Sequence, residues 1–348
     1  MFCYGQPTFA LAIHALLHEV LSMLPTLGVH SVRERNVATI AAYSRSALDR
    51  PLCHSAELRV TVVADSAIVV GAFGREIERP GDLHLERRGS GGPIVRVGPG
   101  TVHVALNLAH PGVLVGANSR NLVNRAVRPL LRAITRGTKG MATASYFGRD
   151  WVSVAHRPAA WVGFAHDTST RRALFEAFVA VSTPIAFVTL PSFLGKEAIT
   201  LEVATGQSIN PTQLAVAIVD SYSCEQDATS VDEDDGTVDM DPTDWRIDPP
   251  WTATCDEAIG RIGAGVDATG TFRIGGDLLV SRDAIERLAA RAAASTTELE
   301  ISQAVDEELT APGIALEGVR SLRSIRDVAA RACGLDGSHI HTMISERS

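Results

Sequence analysis

A chain of 348 residues that is 45% apolar, with a mean hydropathy of +0.10, carries enough hydrophobic material for two buried cores and is not a mostly disordered protein. Its formal charge of −8 is uneven: nine carboxylates and no basic residue lie between Cys224 and Arg246, and the rest of the chain sums to +1. That balance gives no support to nucleic-acid binding, which depends on a clustered basic surface, and five scattered cysteines without metal-type spacing argue for a reducing, cytoplasmic setting and no structural zinc.

Taken in chain order, Ala10 to Leu24 has the apolar stripe of an amphipathic helix, with Leu11, Val20 and Leu24 inward. His14 and His18 stand one turn apart on it, and without a carboxylate at a zincin position they read as its polar flank, not as metal ligands. The apolar run from Phe9 is broken by His14, His18 and Glu19, too short to span a bilayer and without the basic start of a signal peptide. Leu58 to Arg75 contains two β-rich runs and Thr101 to Leu108 alternates as a strand, so the glycines between them are expected to join strands of one sheet. A helix is expected from Asn118 or Ser119 to Ile134, kinked or shortened by Pro129. Its other face carries Arg120, Arg125, Arg128, Arg132 and Arg136, which suits an acidic carrier domain, a nucleotide phosphate or simple solvation.

Strands are expected at Trp151–Val154, Ala160–Ala165, Leu174–Val181 and Ile185–Leu190, and a helix follows with Asn210 as cap and Pro211 at its first position. Mixed in this order, the elements predict an α+β fold with a mixed, largely antiparallel sheet flanked by helices. The acidic stretch with Pro242, Pro249 and Pro250 reads as a linker over 225–250, because Gly236 cannot anchor a calcium loop when Val231 and Pro242 fall on its first and last ligand positions. It divides residues 1–224 from a smaller α+β unit at 251–335, with a tail at 336–348 that holds His339 and His341. In that unit Thr271–Val280 is expected to pair around Gly275-Gly276, followed by helices at Ser281–Ala294, Thr297–Leu309 with a Thr297/Glu300 capping box, and Ser321–Cys333. Gly263-Ala-Gly265 is not a dinucleotide fingerprint, since no helix follows it.

The segment that bears most on function is Arg87-Arg88-Gly89-Ser90-Gly91-Gly92-Pro93, continuing to Gly98-Pro99-Gly100. Clustered glycines let backbone N–H groups approach an anion, and paired arginines fork onto carboxylate or phosphate. A hairpin turn with a solvated arginine pair would use the same letters.

Ile68 to Arg75 followed by this loop resembles the biotin/lipoate A/B protein ligase family, whose members carry an Arg-Arg-x-Ser-Gly-Gly-Gly loop after a strand ending in Gly-Arg. Phe147-Gly-Arg-Asp150 is similar to the family's Gly-Arg-Asn-Asp step, and Pro191–Gly195 with Ile199–Glu202 to the end of its catalytic domain. The resemblance covers about residues 10 to 222 and, more faintly, an accessory domain. It implies the class II biotin/lipoyl ligase architecture, ATP with magnesium, lipoate or octanoate, and transfer of the acyl group to a lysine of a lipoyl-domain or acyl-carrier partner, with no nucleic acid and no membrane. The substrate-binding positions it implies are Gly71, Arg75, Arg88, Ser90, Gly91, Gly92, Gly98, Gly100 and Gly163. The sequence also departs from the family. Laid residue on residue, Ala160 takes the place of the catalytic lysine, Pro93 replaces the third glycine, Val97 replaces a histidine, and no cysteine nucleophile falls between Cys53 and Cys224. The chain's lysines, Lys139 and Lys196, are the candidate substitutes. Three functions follow: an acyl-activating ligase, a non-catalytic protein that binds an acyl ligand, acylated carrier or partner subunit, or an acyltransferase with a relocated lysine.

Overall fold

The structure, a computed structural model, describes residues 26–75, 83–114, 116–148, 150–187, 197–224, 226–231 and 249–335. The expected helix over Ala10–Leu24, the His339/His341 pair, the acidic segment at 232–236 and Lys196 all lie outside these residues.

The first strands are β1 (Thr26–His30), β2 (Arg33–Arg35) and β3 (Ala56–Val63), with helix α1 (Val37–Ser46) between the last two. Asn36 caps α1 by accepting from the Thr39 N–H. Then come β4 (Ala67–Val70), β5 (His84–Arg87), β6 (Val95–Val97) and β7 (Thr101–Leu108). Helix α2 (Leu122–Gly137) leads to β8 (Ala144–Tyr146), β9 (Trp151–Val154), β10 (Arg157–His166), β11 (Ala173–Ala180) and β12 (Ala186–Phe187). Helices α3 (Leu201–Thr205) and α4 (Pro211–Ser223) precede β13 (Asp227–Val231).

Nine of these strands form one sheet, ordered β13-β1-β3-β7-β11-β10-β9-β8 with β2 beside β3. Its β1, β2 and β13 pairings are parallel and the others antiparallel. A second sheet runs β12-β6-β4-β5. The glycine loop therefore joins β5 to β6 within the smaller sheet, while β3 and β7 pair in the larger one, so the expectation of a single sheet is corrected. The short Asp65-Ser66 link after β3 and the Gly98-Pro99-Gly100 turn before β7 let the chain step off the large sheet and return.

Strand alternation gives the large sheet two faces. Val60, Val104, Val162, Phe164 and Val179 pack with Leu122, Val127, Leu130 and Ile134 of α2, whereas Trp161 and Phe178 pack with Ile40, Val69 and Val95 on the other side. Helix α2 begins at Leu122, not at Asn118 or Ser119. The Asn118 carboxamide accepts from the N–H groups of Arg120 and Asn121 and so forms the turn that precedes the helix. It also continues two turns beyond Pro129, because the buried stripe outweighs the roughly 3 kcal/mol a mid-helix proline costs.

The linker expected over 225–250 is corrected at its start, because Asp227–Val231 pairs along the whole of β1 as the sheet's edge strand. The second unit holds β14 (Ala253–Glu257), β15 (Gly260–Val266) and β16 (Phe272–Gly276) in one sheet, and β17 (Leu279–Val280) paired with β18 (Leu316–Glu317). Helices α5 (Arg282–Ala294), α6 (Glu298–Thr310) and α7 (Leu322–Ala332) complete it, with the Thr297/Glu300 capping box formed. Here too a reading is corrected: β16 and β17 do not pair around Gly275-Gly276. Each has another partner, and Gly276 donates its N–H to the Phe73 carbonyl of the first unit at 2.7 Å.

Candidate ligand site

The loop residues singled out in the sequence come together, and the structure shows what they hold. Arg88 leaves β5 pointing inward and is 1% exposed. Its guanidinium donates to the carbonyls of Val69, Gly91 and Pro93 at 2.8–3.0 Å and lies 3.9 Å over the Trp161 ring. Burial pulls its pKa down to about 10, against the opposing pull of Glu176, Asp277 and Asp150, so it stays charged at neutral pH. The Gly91 N–H ends on the Phe164 carbonyl of β10 at 3.0 Å, and the Gly92 N–H on the Leu278 carbonyl of the second unit at 2.9 Å. Pro93 has no N–H.

Gly91 is required for close approach, since a Cβ there would stand 2.1 Å from the Leu278 oxygen. Gly163 answers to the same logic: a Cβ would lie 2.4 Å from the Trp161 ring and 2.7 Å from the Gly91 oxygen. The cradle is therefore filled by the chain itself. Trp161 is fully buried between the two sheets, 5.8 Å from the Phe178 ring, and its indole N–H has no hydrogen-bond partner among the described residues. It is there for its bulk.

The other expected positions sort by distance from this tryptophan. Gly71 and Ser90 belong to its surroundings: a Cβ on Gly71 would meet the Gly92 oxygen and the Arg88 guanidinium, and the buried Ser90 hydroxyl lies beside Glu176. Arg75 instead faces the second unit, donating to Pro249 and Gly265 carbonyls and stacking on Trp251 at 3.7 Å. Gly98 and Gly100 form the β6–β7 turn against Ser66 and Ser182. Ala160 pairs with Val179 and belongs to the core on the α2 side, so strand alternation turns it away from the loop and puts Trp161 toward it. Lys139 is exposed in the left-handed turn after α2, a helix that covers the opposite face of the sheet. Arg125, Arg128, Arg132 and Arg136 are carried by that same helix, whereas Arg120 lies in the turn before it.

Sequence reasoning missed a polar layer on the loop side of the large sheet. The register sets Thr61 beside His103 and Glu57 beside Asn107, with Glu176 diagonal to His103. His103 Nε2 meets Glu176 at 2.9 Å, and both are almost wholly buried. Burial would raise the Glu176 carboxyl, but His103 and the Ser90 and Ser44 hydroxyls bring it below the usual range. Tyr43 and Arg50 close on Glu57, which also accepts from the Cys53 N–H at 3.1 Å. The sequence signal was available: polar residues fall on one face of strands otherwise apolar, at every second position in Glu57-Leu-Arg59-Val-Thr61 and four apart in His103-Val-Ala-Leu-Asn107.

Burial pushes the Glu57 carboxyl up, yet His30, the Cys53 N–H and Arg50 outweigh it and hold the group at about 2, below its ordinary 4.5. A depressed carboxyl contributes stability that is fully present above pH 4.5 and is lost as pH falls toward 2. The melting temperature is therefore expected to drop through that window in an acid titration. E57Q should already be less stable at pH 7 and should show a shallower acid limb; an unchanged limb would show that Glu57 contributes nothing to it.

Taken together, the large sheet, the smaller sheet with its glycine loop and the appended α+β unit make up a lipoate-ligase-like fold. The chain is similar to LipL1 of P. falciparum, solved in complex with lipoate, with a TM-score of 0.58 at 12% identity over 86% of this chain and 98% of that one. It is also similar to Ta0514 of T. acidophilum with bound lipoic acid (TM-score 0.47, 13% identity, 63% and 95% of the two chains) and to the bipartite lipoate protein ligase of the same organism (0.41, 12%, 59% and 87%). No protein-family model and no curated protein sequence matches it. The expected α+β ligase fold is thus present. Among the described residues no helix is long and apolar enough to cross a membrane.

That fold implies a nucleotide and an acyl group at the glycine loop. The residues described there do not fit them: two loop N–H groups are committed to carbonyls, the third position is proline, and an indole occupies the space beneath.

Proposed function

We propose that this chain is a non-adenylating protein on the lipoate-ligase fold, in which the loop that would cradle an acyl adenylate serves as the joint between the two units. One observation carries the reading: the Trp161 side chain fills the space beneath Gly92 and Gly163 that a ligand would need. Arg88 supports it, because a guanidinium that already donates to three carbonyls has little left for a carboxylate or phosphate. A lipoyl or acyl-carrier domain would then be a binding partner and not an acyl acceptor.

The test is pyrophosphate–ATP exchange with lipoate, octanoate or biotin, paired with thermal denaturation in each ligand. Exchange at background and a melting temperature unmoved by all three acids are expected. Exchange above background would overturn the proposal in favour of an active ligase, and would direct attention to Lys196 as a relocated catalytic group.

A further inference from the structure

Helix α2 carries its charge on one side. Counted at about 100° per residue, Arg125, Arg128, Arg132 and Arg136 fall within about 80° of its circumference, and the first and last stand about 16 Å apart along the axis. Leu122, Val123, Val127, Leu130 and Ile134 take the other side, in the core. Arg128 and Arg136 are exposed, as is Lys139 in the turn that follows, and Arg125 is half-buried. Arg128 reaches the Asn124 carboxamide of its own helix at 3.3 Å, and Arg132 is engaged within the chain. Among the described residues no ion pair forms at Arg125, Arg128, Arg136 or Lys139. The sequence has no carboxylate between Glu86 and Asp150, and Asp220, exposed on the neighbouring α4, pairs with none of these cations. Surface arginines of the second unit are answered instead: Arg261 by Asp256, Arg282 by Asp49 and Asp167, and Arg287 and Arg291 by Glu308. Beside Arg125 the surface turns apolar, where Leu108, Pro111, Leu114, Pro129 and Tyr222 line a hollow of about 30 Å3. At roughly 10–15 Å3 for a water-sized group, it admits about two methyl groups.

We infer that this face of α2 is a docking surface for an acidic amphipathic helix of a partner protein. A helix laid along α2 repeats the same period, so carboxylates spaced like the arginines meet them in turn, and each guanidinium fork matches the two oxygens it faces. An apolar side chain on the flank of that helix enters the hollow beside Arg125, which fixes the register. The hollow also separates a protein partner from a nucleic acid: phosphates have no use for it, and a chain of net charge −8 repels a long polyanion. Because α2 covers the side of the large sheet opposite the glycine loop, docking here is independent of whether the chain adenylates.

The experiment is fluorescence anisotropy of a labelled helical peptide titrated with the whole chain. The peptide's glutamates repeat the spacing of the four arginines, and leucine occupies the adjoining flank. Saturable binding is expected, weakened several-fold when sodium chloride is raised from about 0.05 to about 0.3 M. A peptide of the same composition with its glutamates scattered around the helix should bind more weakly. R128E/R136E, at exposed positions, should keep the wild-type melting temperature and weaken binding about tenfold or more, since two attractions become repulsions. R320E/R323E makes the same charge change on the surface of the second unit and should leave binding as it was. No saturable binding, equal affinity for the scattered peptide, or equal losses in the two double variants would overturn the inference. Tighter binding of a uridine oligonucleotide of equal charge, abolished by R128E/R136E, would overturn it in favour of a nucleic-acid face. D232N/E233Q/D234N/D235N should bind the peptide as wild type does; a gain of about tenfold or more would make the chain's own acidic run the occupant and remove the partner.

Discussion

Replacing Trp161 with alanine is expected to destabilise the protein by about 3–5 kcal/mol, read as a lower urea midpoint, with lipoate and octanoate partly restoring the loss. The side chain is fully buried, underlies Arg88 and packs against Phe178, so truncation opens a hole at the junction of both sheets and the loop. An apolar hole of that size is a binding site in its own right, and the stabilisation it lends an acyl chain scales with ligand concentration over affinity. Wild type should show no such rescue. If lipoate stabilises the wild type as much as the variant, the indole moves aside for ligand and the non-adenylating reading fails.

Arg88→Met should cost at least about 3 kcal/mol and reduce soluble yield, because the Val69, Gly91 and Pro93 carbonyls would each lose a donor in a dry interior at about 1–3 kcal/mol per unmet group. Arg88→Lys keeps the charge but replaces a planar fork with a single ammonium that cannot reach all three oxygens, and a loss of about 2 kcal/mol is expected. Equilibrium denaturation in urea measures both. A ligand-binding arginine would behave in the opposite way, leaving stability near wild type while affinity for an acid or nucleotide collapsed. Near-native stability in both variants would therefore return Arg88 to the role the resemblance implied.

How far the sequence could be read depended on whether local chemistry or distant neighbours decided each element. Helix α4 announced itself through Asn210 and Pro211, and α6 through Thr297 and Glu300, because capping is settled within four residues. Strand β7 was legible from end to end since its neighbours on both sides cover it. By contrast β1, β2 and α1 passed unnoticed, as short segments whose strand or helix state is fixed by partners far along the chain; β1 pairs with residues about two hundred positions away.

The glycine step was legible as a place of close approach but not as to what approaches. Gly91 meets a carbonyl of the second unit and Gly163 an indole, and either position would look the same in sequence if a phosphate stood there. The position laid on the catalytic lysine shows the same limit. An irregularity between Pro158 and Ala160 shifts the pairing of β10 with β9, and counting letters across it cannot tell which face a residue takes.

The contacts that pass between residues 249–335 and the first unit bear on how the protein can be handled. Gly92 reaches Leu278, Gly276 reaches Phe73, Arg75 reaches Pro249 and Gly265, and His166 reaches Ser281. Each link ties a buried polar group of one half to the other. Neither half is consequently a transplantable module: excising the C-terminal piece would strip partners from the heart of what remained.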